Sequence, residues 1–171
     1  MRDFSPNHYE RAFENWLLDR GIEYVRADEH MRPGPPQESV KNFDFLLCPR
    51  PDRRVIVELK GRTFKGTAPT SRTGFECWVT LDDIESLHVW RRALGPVHEA
   101  VFVFAYRVVR PDVDFDGADV LEFGLDRYLF FCLGLDDYCR HMKRRSPKWG
   151  TMTLPAESFR LCAIELAAFL R

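Results

Sequence analysis

Asp44, Glu58 and Lys60 are the residues of this chain whose types and spacing could do chemistry together. Glu58 and Lys60 stand two apart in Val55-Ile56-Val57-Glu58-Leu59-Lys60, a β-branched run that reads as a strand over 55–60. Period-2 alternation puts both on one face, with Val55, Val57 and Leu59 on the other. Asp44 lies in a second strand-like run, 42–47, and Pro49, Pro51 and Asp52 supply a turn between the two. A hairpin therefore brings the three side chains together. Charge in such a setting must be paired or metal-bound, because burying it unpaired is costly. Two carboxylates side by side repel, and a divalent cation removes that repulsion. Mg²⁺ or Mn²⁺ suits an oxygen site of this kind, keeping several waters. A bound ion of that type activates water and stabilises charge on a phosphoryl oxygen. A lysine beside it positions the water or neutralises the transition state. That is the chemistry of phosphodiester hydrolysis. The competing reading is a cross-strand ion-pair ladder on a solvated face.

The elements that must hold these residues follow in order. A helix is expected over 6–20, started by Ser5 and Pro6 and ended by Gly21. Tyr9, Phe13, Trp16, Leu17 and Arg20 share one face of it. A second start is open, with Asn7 as N-cap and Glu10 as the third helical residue of a capping box. A short strand is predicted over 22–27, then a Pro- and Gly-rich loop, then the hairpin. Residues 61–77 form a long polar loop of the kind often tied to function. Thr80 caps a helix to Leu94, and 100–108 is an apolar strand covered on both sides. Beyond it, one or two strands are expected around Gly124, a helix over 135–143, a strand over 151–154 and an amphipathic helix over 155–170. The order is α-β-β-β-α-β plus an extension: an α/β class fold with a central mixed sheet flanked by helices.

Bulk properties narrow the class. A chain of 171 residues with 45% hydrophobic and 30% charged residues is expected to form one globular domain over 1–171, core 6–108 and extension 109–171. The longest apolar run is strand-length, and the N-terminus has no signal-peptide character, so a cytoplasmic protein is expected. Five cysteines, an odd number without Cys-x-x-Cys spacing, read as reduced core filler. A net charge of −1 excludes a globally basic nucleic-acid binder. Its distribution is uneven. Between Arg50 and Arg72 stand seven basic and two acidic residues, and Arg140, Lys143, Arg144, Arg145 and Lys148 form a second basic cluster. These are either solvated faces or the flanks of a phosphate-binding cleft.

Asp44, thirteen intervening residues and then Glu58-Leu59-Lys60 resemble motifs of the PD-(D/E)XK superfamily. That superfamily comprises restriction-endonuclease-like enzymes, Holliday-junction resolvases and RecB-like nucleases. Phe43 stands where the name-giving proline would precede Asp44. The resemblance implies an α-β-β-β-α-β core and a Mg²⁺- or Mn²⁺-dependent nuclease acting on DNA. It implies Asp44 and Glu58 as metal ligands and Lys60 as the catalytic lysine. In the resolvase-like branch a glutamate of the first helix supports the metal; Glu10 is the best match, with Glu14 one turn later as backup. Pairing into a homodimer to cut two strands also follows from the resemblance. His8-Tyr9-Glu10-Arg11-Ala12-Phe13-Glu14 further resembles the signature of the uncharacterised bacterial HYExAFE family.

Arg62 and Lys65, directly after the Glu58-x-Lys60 strand, are candidate phosphate contacts, as are Arg144, Arg145 and Lys148 beside Trp149. The bland alternatives are a solvated loop and cations at a helix C-terminus. Trp78 reads as a core residue more readily than as a base-stacking one. Two further function classes stay open: a catalytically inactive nuclease-fold module that binds nucleic acid or serves as a scaffold, and a purely structural charge network.

Overall fold

A computed structural model describes residues 7–28, 30–33 and 40–171. Helix α1, His8–Asp19, opens after Asn7, whose side chain accepts the backbone N–H groups of Tyr9 and Glu10. The second of the two expected starts is therefore the one adopted. Asn7 is extended and satisfies two orphan donors, so the helix begins at His8; Ser5 and Pro6 lie outside the described residues. Gly21, in the left-handed region at φ 62°, follows its end.

Strands β1 (Glu23–Arg26), β2 (Phe45–Arg50) and β3 (Arg53–Phe64) form an antiparallel meander. Asp44, expected inside a strand, stands one residue before β2. Its backbone nonetheless continues both ladders. Its N–H donates to the Val57 carbonyl at 3.0 Å, and its carbonyl accepts from Ala27 at 3.0 Å. β3 runs well past the expected 55–60, because its parallel pairing with β5 (His98–Val108) continues to Phe64 opposite Val108. Between them lie β4 (Val79–Thr80) and α2 (Leu81–Leu94). Thr80 caps α2 as expected, in a full capping box with Asp83.

The apolar run of β5 is central and buried because a helix covers each face. Val101, Val103 and Ala105 pack with Phe13 and Trp16 of α1. Phe102 and Phe104 pack with Leu87 and Trp90 of α2. The α-β-β-β-α-β order is thus present, with β4 added before α2.

β6 (Val120–Phe123) and β7 (Asp126–Gly134) form the hairpin around Gly124, and β7 pairs antiparallel with β5. Helix α3 (Leu135–His141), β8 (Lys143–Ser146) and β9 (Thr151–Thr153) follow, and β4, β9 and β8 make a separate three-stranded sheet. The expected helix over 155–170 is three pieces instead: α4 (Ala156–Cys162), β10 (Ile164–Glu165) and α5 (Leu166–Phe169). The reason is the outer edge of β7. β6 covers it only from Asp126 to Leu129, and β10 pairs with Phe131 and Cys132 beyond. Satisfying those edge groups outweighs one continuous helix. The seven-stranded main sheet runs β1-β2-β3-β5-β7-β10, with β6 beside β7.

All five cysteines are free, with Cys77 and Cys132 buried, which agrees with a filler role. No helix among the described residues is long and apolar enough to cross a membrane.

α1 meets β3 at Gly61, where a Cβ would come within 2.2 Å of the Tyr9 ring. The alanine variant Gly61→Ala must push α1 outward. It is expected to lose about 1–3 kcal/mol, read as a lower thermal midpoint; an unchanged midpoint would contradict this close contact.

Candidate active site

On β3, Ile56 packs toward α2, while Val55 and Val57 pack toward α1. Glu58 and Lys60, in phase with Ile56, therefore face α2. Glu58 is 3% exposed. Lys60 Nζ donates to Glu58 Oε1 at 2.8 Å and pairs with Asp83 Oδ2 at 2.8 Å. Lys41 Nζ donates to the same two carboxylates, at Glu58 Oε1 and Asp83 Oδ1. Two carboxylates and two ammonium groups thus form one closed cluster under α2.

Neither Lys41 nor Asp83 was among the candidates. Asp83 is legible in the sequence only as the partner of Thr80 in a capping box. One oxygen does that, accepting the Thr80 N–H at 2.9 Å. The same carboxylate, 2% exposed, also carries the lysines. Burial pushes Asp83 up, but the charge of Lys60 and hydrogen bonds from both lysines outweigh it and hold the group well below the usual range. Burial likewise opposes charge on Lys41, and Glu58 and Asp83 hold it above the usual lysine range. Lys41 precedes Asp44 by three residues with no periodicity to mark it. What places it is Trp90 of α2, whose indole N–H donates to the Lys41 carbonyl at 3.0 Å. Trp90 lies two turns after Asp83, on the same side of the helix.

Asp44 sits beside this cluster. Its Oδ2 accepts the Leu59 N–H at 2.7 Å, so the side chain serves as an acceptor for β3 where β2 has not yet begun. Burial, and next the charge of Glu58, push its carboxyl up to about 7 against that bond and the two lysines. The cause is a simple charge balance. Glu58 and Asp83 are matched by Lys41 and Lys60, and Asp44 is a third carboxylate that no cation pairs with among the described residues.

Glu10 lines a cleft of about 310 Å³ together with Arg26, Lys41 and Asp44. Arg26 holds it at 3.1 Å and also holds Glu14 at 2.7 Å. Asn7 Nδ2 donates to Glu10 as well, at 3.2 Å, and Tyr24 donates to Glu14 at 3.2 Å. Glu10 is thus near Asp44 but already compensated, and Glu14 is turned to β1. His8 bonds the Tyr128 hydroxyl at 2.9 Å.

Arg62 is not a free arm. It lies half-buried over the Trp78 ring, 3.9 Å from its centroid, and donates to the carbonyls of Trp78 and Gly61. Burial lowers its pKa. Lys65, just past β3, is exposed, as are Arg144 and Arg145 on β8 and Lys148 in the following turn. Arg145 also lies over the Trp78 ring, 5.2 Å from its centroid. Trp78 therefore joins β3 to the second basic cluster. The first cluster does not stay together. Arg53 pairs with Glu99 and Arg54 with carbonyls of the β2–β3 turn, at the far end of β3 from Lys60.

Hard oxygen donors fit Mg²⁺ or Mn²⁺, and the surplus carboxylate at Asp44 is the charge such an ion would neutralise. Among the described residues, no three His, Cys, Asp or Glu side chains form a ready-made metal cage. The fit is to an ion held by one or two carboxylates, with water and substrate phosphate completing its shell.

The fold has a known counterpart. Hjc, a Holliday junction resolvase from the archaeal hyperthermophile Archaeoglobus fulgidus, matches with a TM-score of 0.57 at 13% identity, covering 97% of this chain and 100% of that one. The restriction-endonuclease-like fold expected from Asp44, Glu58 and Lys60 is therefore present. No family model matches the sequence, and no curated protein does.

Asp44 gives a pH signature. Its folded pKa lies above the ordinary 3.8, so its stabilising contribution is complete below that value and is lost as the pH rises through about 7. In metal-free buffer at pH 8, Asp44→Asn is expected to melt above wild type, with the gap closing toward pH 4. A wild type that is the more stable at pH 8 would refute the assignment.

Proposed function

We propose that this chain is a single nuclease-like domain that hydrolyses phosphodiester bonds of DNA with Mg²⁺ or Mn²⁺. The observation that carries the reading is the surplus carboxylate Asp44 beside buried Glu58 and half-buried Lys60, on a resolvase-like fold. Asp44 and Glu58 would hold the ion, with Glu10 supporting it across the shared cleft once Arg26 yields it. The ion supplies Lewis acidity and lowers the pKa of bound water. Lys60 holds the scissile phosphate or the attacking water through its ammonium hydrogens, and Asp83 aims that ammonium group from α2. Lys65, Arg144, Arg145 and Lys148 contact phosphates, while Arg62 braces Trp78 behind them. Membership of the HYExAFE family rests on the heptad from His8 to Glu14 alone. Cytoplasmic action, and pairing of two copies for two-strand cleavage, belong to the same proposal.

One observation favours a second reading, a non-catalytic nuclease-fold module. Lys41 already occupies Glu58, and Arg26 already occupies Glu10. Cleavage of single-stranded, duplex and branched DNA with Mn²⁺ separates the two. Wild type is expected to cut at least one of these. Lys60→Ala is expected to cut it about 10²–10³-fold more slowly, the scale of losing one preorganised electrostatic donor. Equal rates for both proteins would remove the catalytic role. No cleavage by either would favour the second reading.

A further inference from the structure

The β4–β9–β8 sheet carries more than the phosphate contacts given to Arg144, Arg145 and Lys148. Lys143, Arg144 and Arg145 of β8 are all exposed, and among the described residues β8 pairs only with β9, which leaves its other edge open there. Lys148 lies in the turn that follows. None of these four cations has an ion-pair partner among the described residues, whereas Arg53, Arg91 and Arg110 are each matched to a carboxylate. The patch is therefore an uncompensated positive surface.

Trp149 follows Lys148 in the same turn. The residue is 70% exposed, and the Lys148 ammonium lies 5.1 Å from its ring centroid. A solvated charge run accounts for exposed lysines and arginines but not for an indole held in water among them. The turn that holds it is braced. Trp149 N–H donates to Ser146 Oγ at 3.4 Å, and the Gly150 carbonyl accepts from Leu81 N, at the start of α2, at 2.8 Å. Gly150 itself needs the left-handed region, at φ 56°.

Phosphate alone would need only the cations. A free aromatic face among cations suits a polyanion whose rings are themselves free to stack, which is a nucleic-acid strand with unpaired bases. The surface also leads to the candidate site. Arg145 meets Trp78, Trp78 meets Arg62, and Arg62 stands two residues after Lys60 on β3.

We propose that this sheet docks a DNA strand with unpaired bases. Trp149 stacks a base, and Lys143, Arg144, Arg145 and Lys148 hold the adjoining phosphates. The preferred substrate then contains a single-stranded segment. This rests on the reading of the chain as acting on DNA.

The test is fluorescence anisotropy of the full chain, in EDTA so that nothing is cut, with a labelled oligothymidine strand and a duplex of equal length. Wild type is expected to bind the single strand more tightly. Trp149→Ala, at an exposed position, is expected to weaken single-strand binding about 5- to 100-fold and to leave duplex binding nearly unchanged. Arg144→Glu with Lys148→Glu should weaken both and flatten the salt dependence. Equal affinity of wild type for both forms, no binding of either, or a Trp149→Ala protein that binds the strand like wild type would overturn the proposal. Loss of cleavage in Lys60→Ala alongside normal strand binding by Trp149→Ala would discard the docking surface and leave the nuclease reading standing. Strand binding that needs Trp149, without cleavage by wild type, would do the reverse.

Discussion

The interaction on which the rest of this structure depends is the burial of Glu58 in the middle of the main sheet. A carboxylate at 3% exposure beside apolar strands is tolerable only with cations delivered to it. Lys60 comes from the same strand, two residues on. Lys41 comes from the segment before β2, held on α2 by Trp90. Both ammonium groups then need a second carboxylate, and α2 supplies Asp83 from its first turn. The α2 crossover between the parallel strands β3 and β5 is thus more than a connection. It completes a charge cluster whose other half lies on the strand beneath it. Removing one member of such a cluster exposes the remaining charges, which typically costs about 3–5 kcal/mol.

This balance also sets the state of Asp44. With two carboxylates matched by two lysines, a third is held partly neutral by its surroundings. On the other side of the cleft Arg26 is shared by Glu10 and Glu14, with Asn7 and Tyr24 donating to them as well. The two lysines thus balance Glu58 and Asp83, and Asp44 is left as the carboxyl that its surroundings push toward neutrality.

Much of this was legible in the sequence, for identifiable reasons. Alternation along 55–60 put Glu58 and Lys60 on one face, and a β-hairpin made Asp44 their neighbour. Asn7, Thr80 and the apolar run of β5 were visible because capping and two-sided burial leave local marks. Asp83 went unread: three residues after Thr80 it has the local pattern of an ordinary capping acid, and a buried counter-ion has the same pattern. Lys41 left no mark, because its role is set by a tryptophan forty-nine residues later. The residues after Pro155 have a helical period, and that period says nothing about an unpaired stretch of β7 that needs a partner. The basic residues from Arg50 to Arg72 read as one cluster along the chain, but a twelve-residue strand carries its two ends far apart.

Asp44 and Glu58 are proposed to accept a divalent cation where Lys41 now compensates Glu58. Crystals of the full chain soaked in Mn²⁺ test it directly through anomalous scattering at the manganese edge. One strong peak is expected within about 2.0–2.3 Å of carboxylate oxygens of both Asp44 and Glu58, near the oxygen–metal distances of hard divalent ions, with Lys41 Nζ moved off Glu58. A structure at saturating Mn²⁺ with Lys41 still on Glu58 and no anomalous peak between the two carboxylates would contradict it.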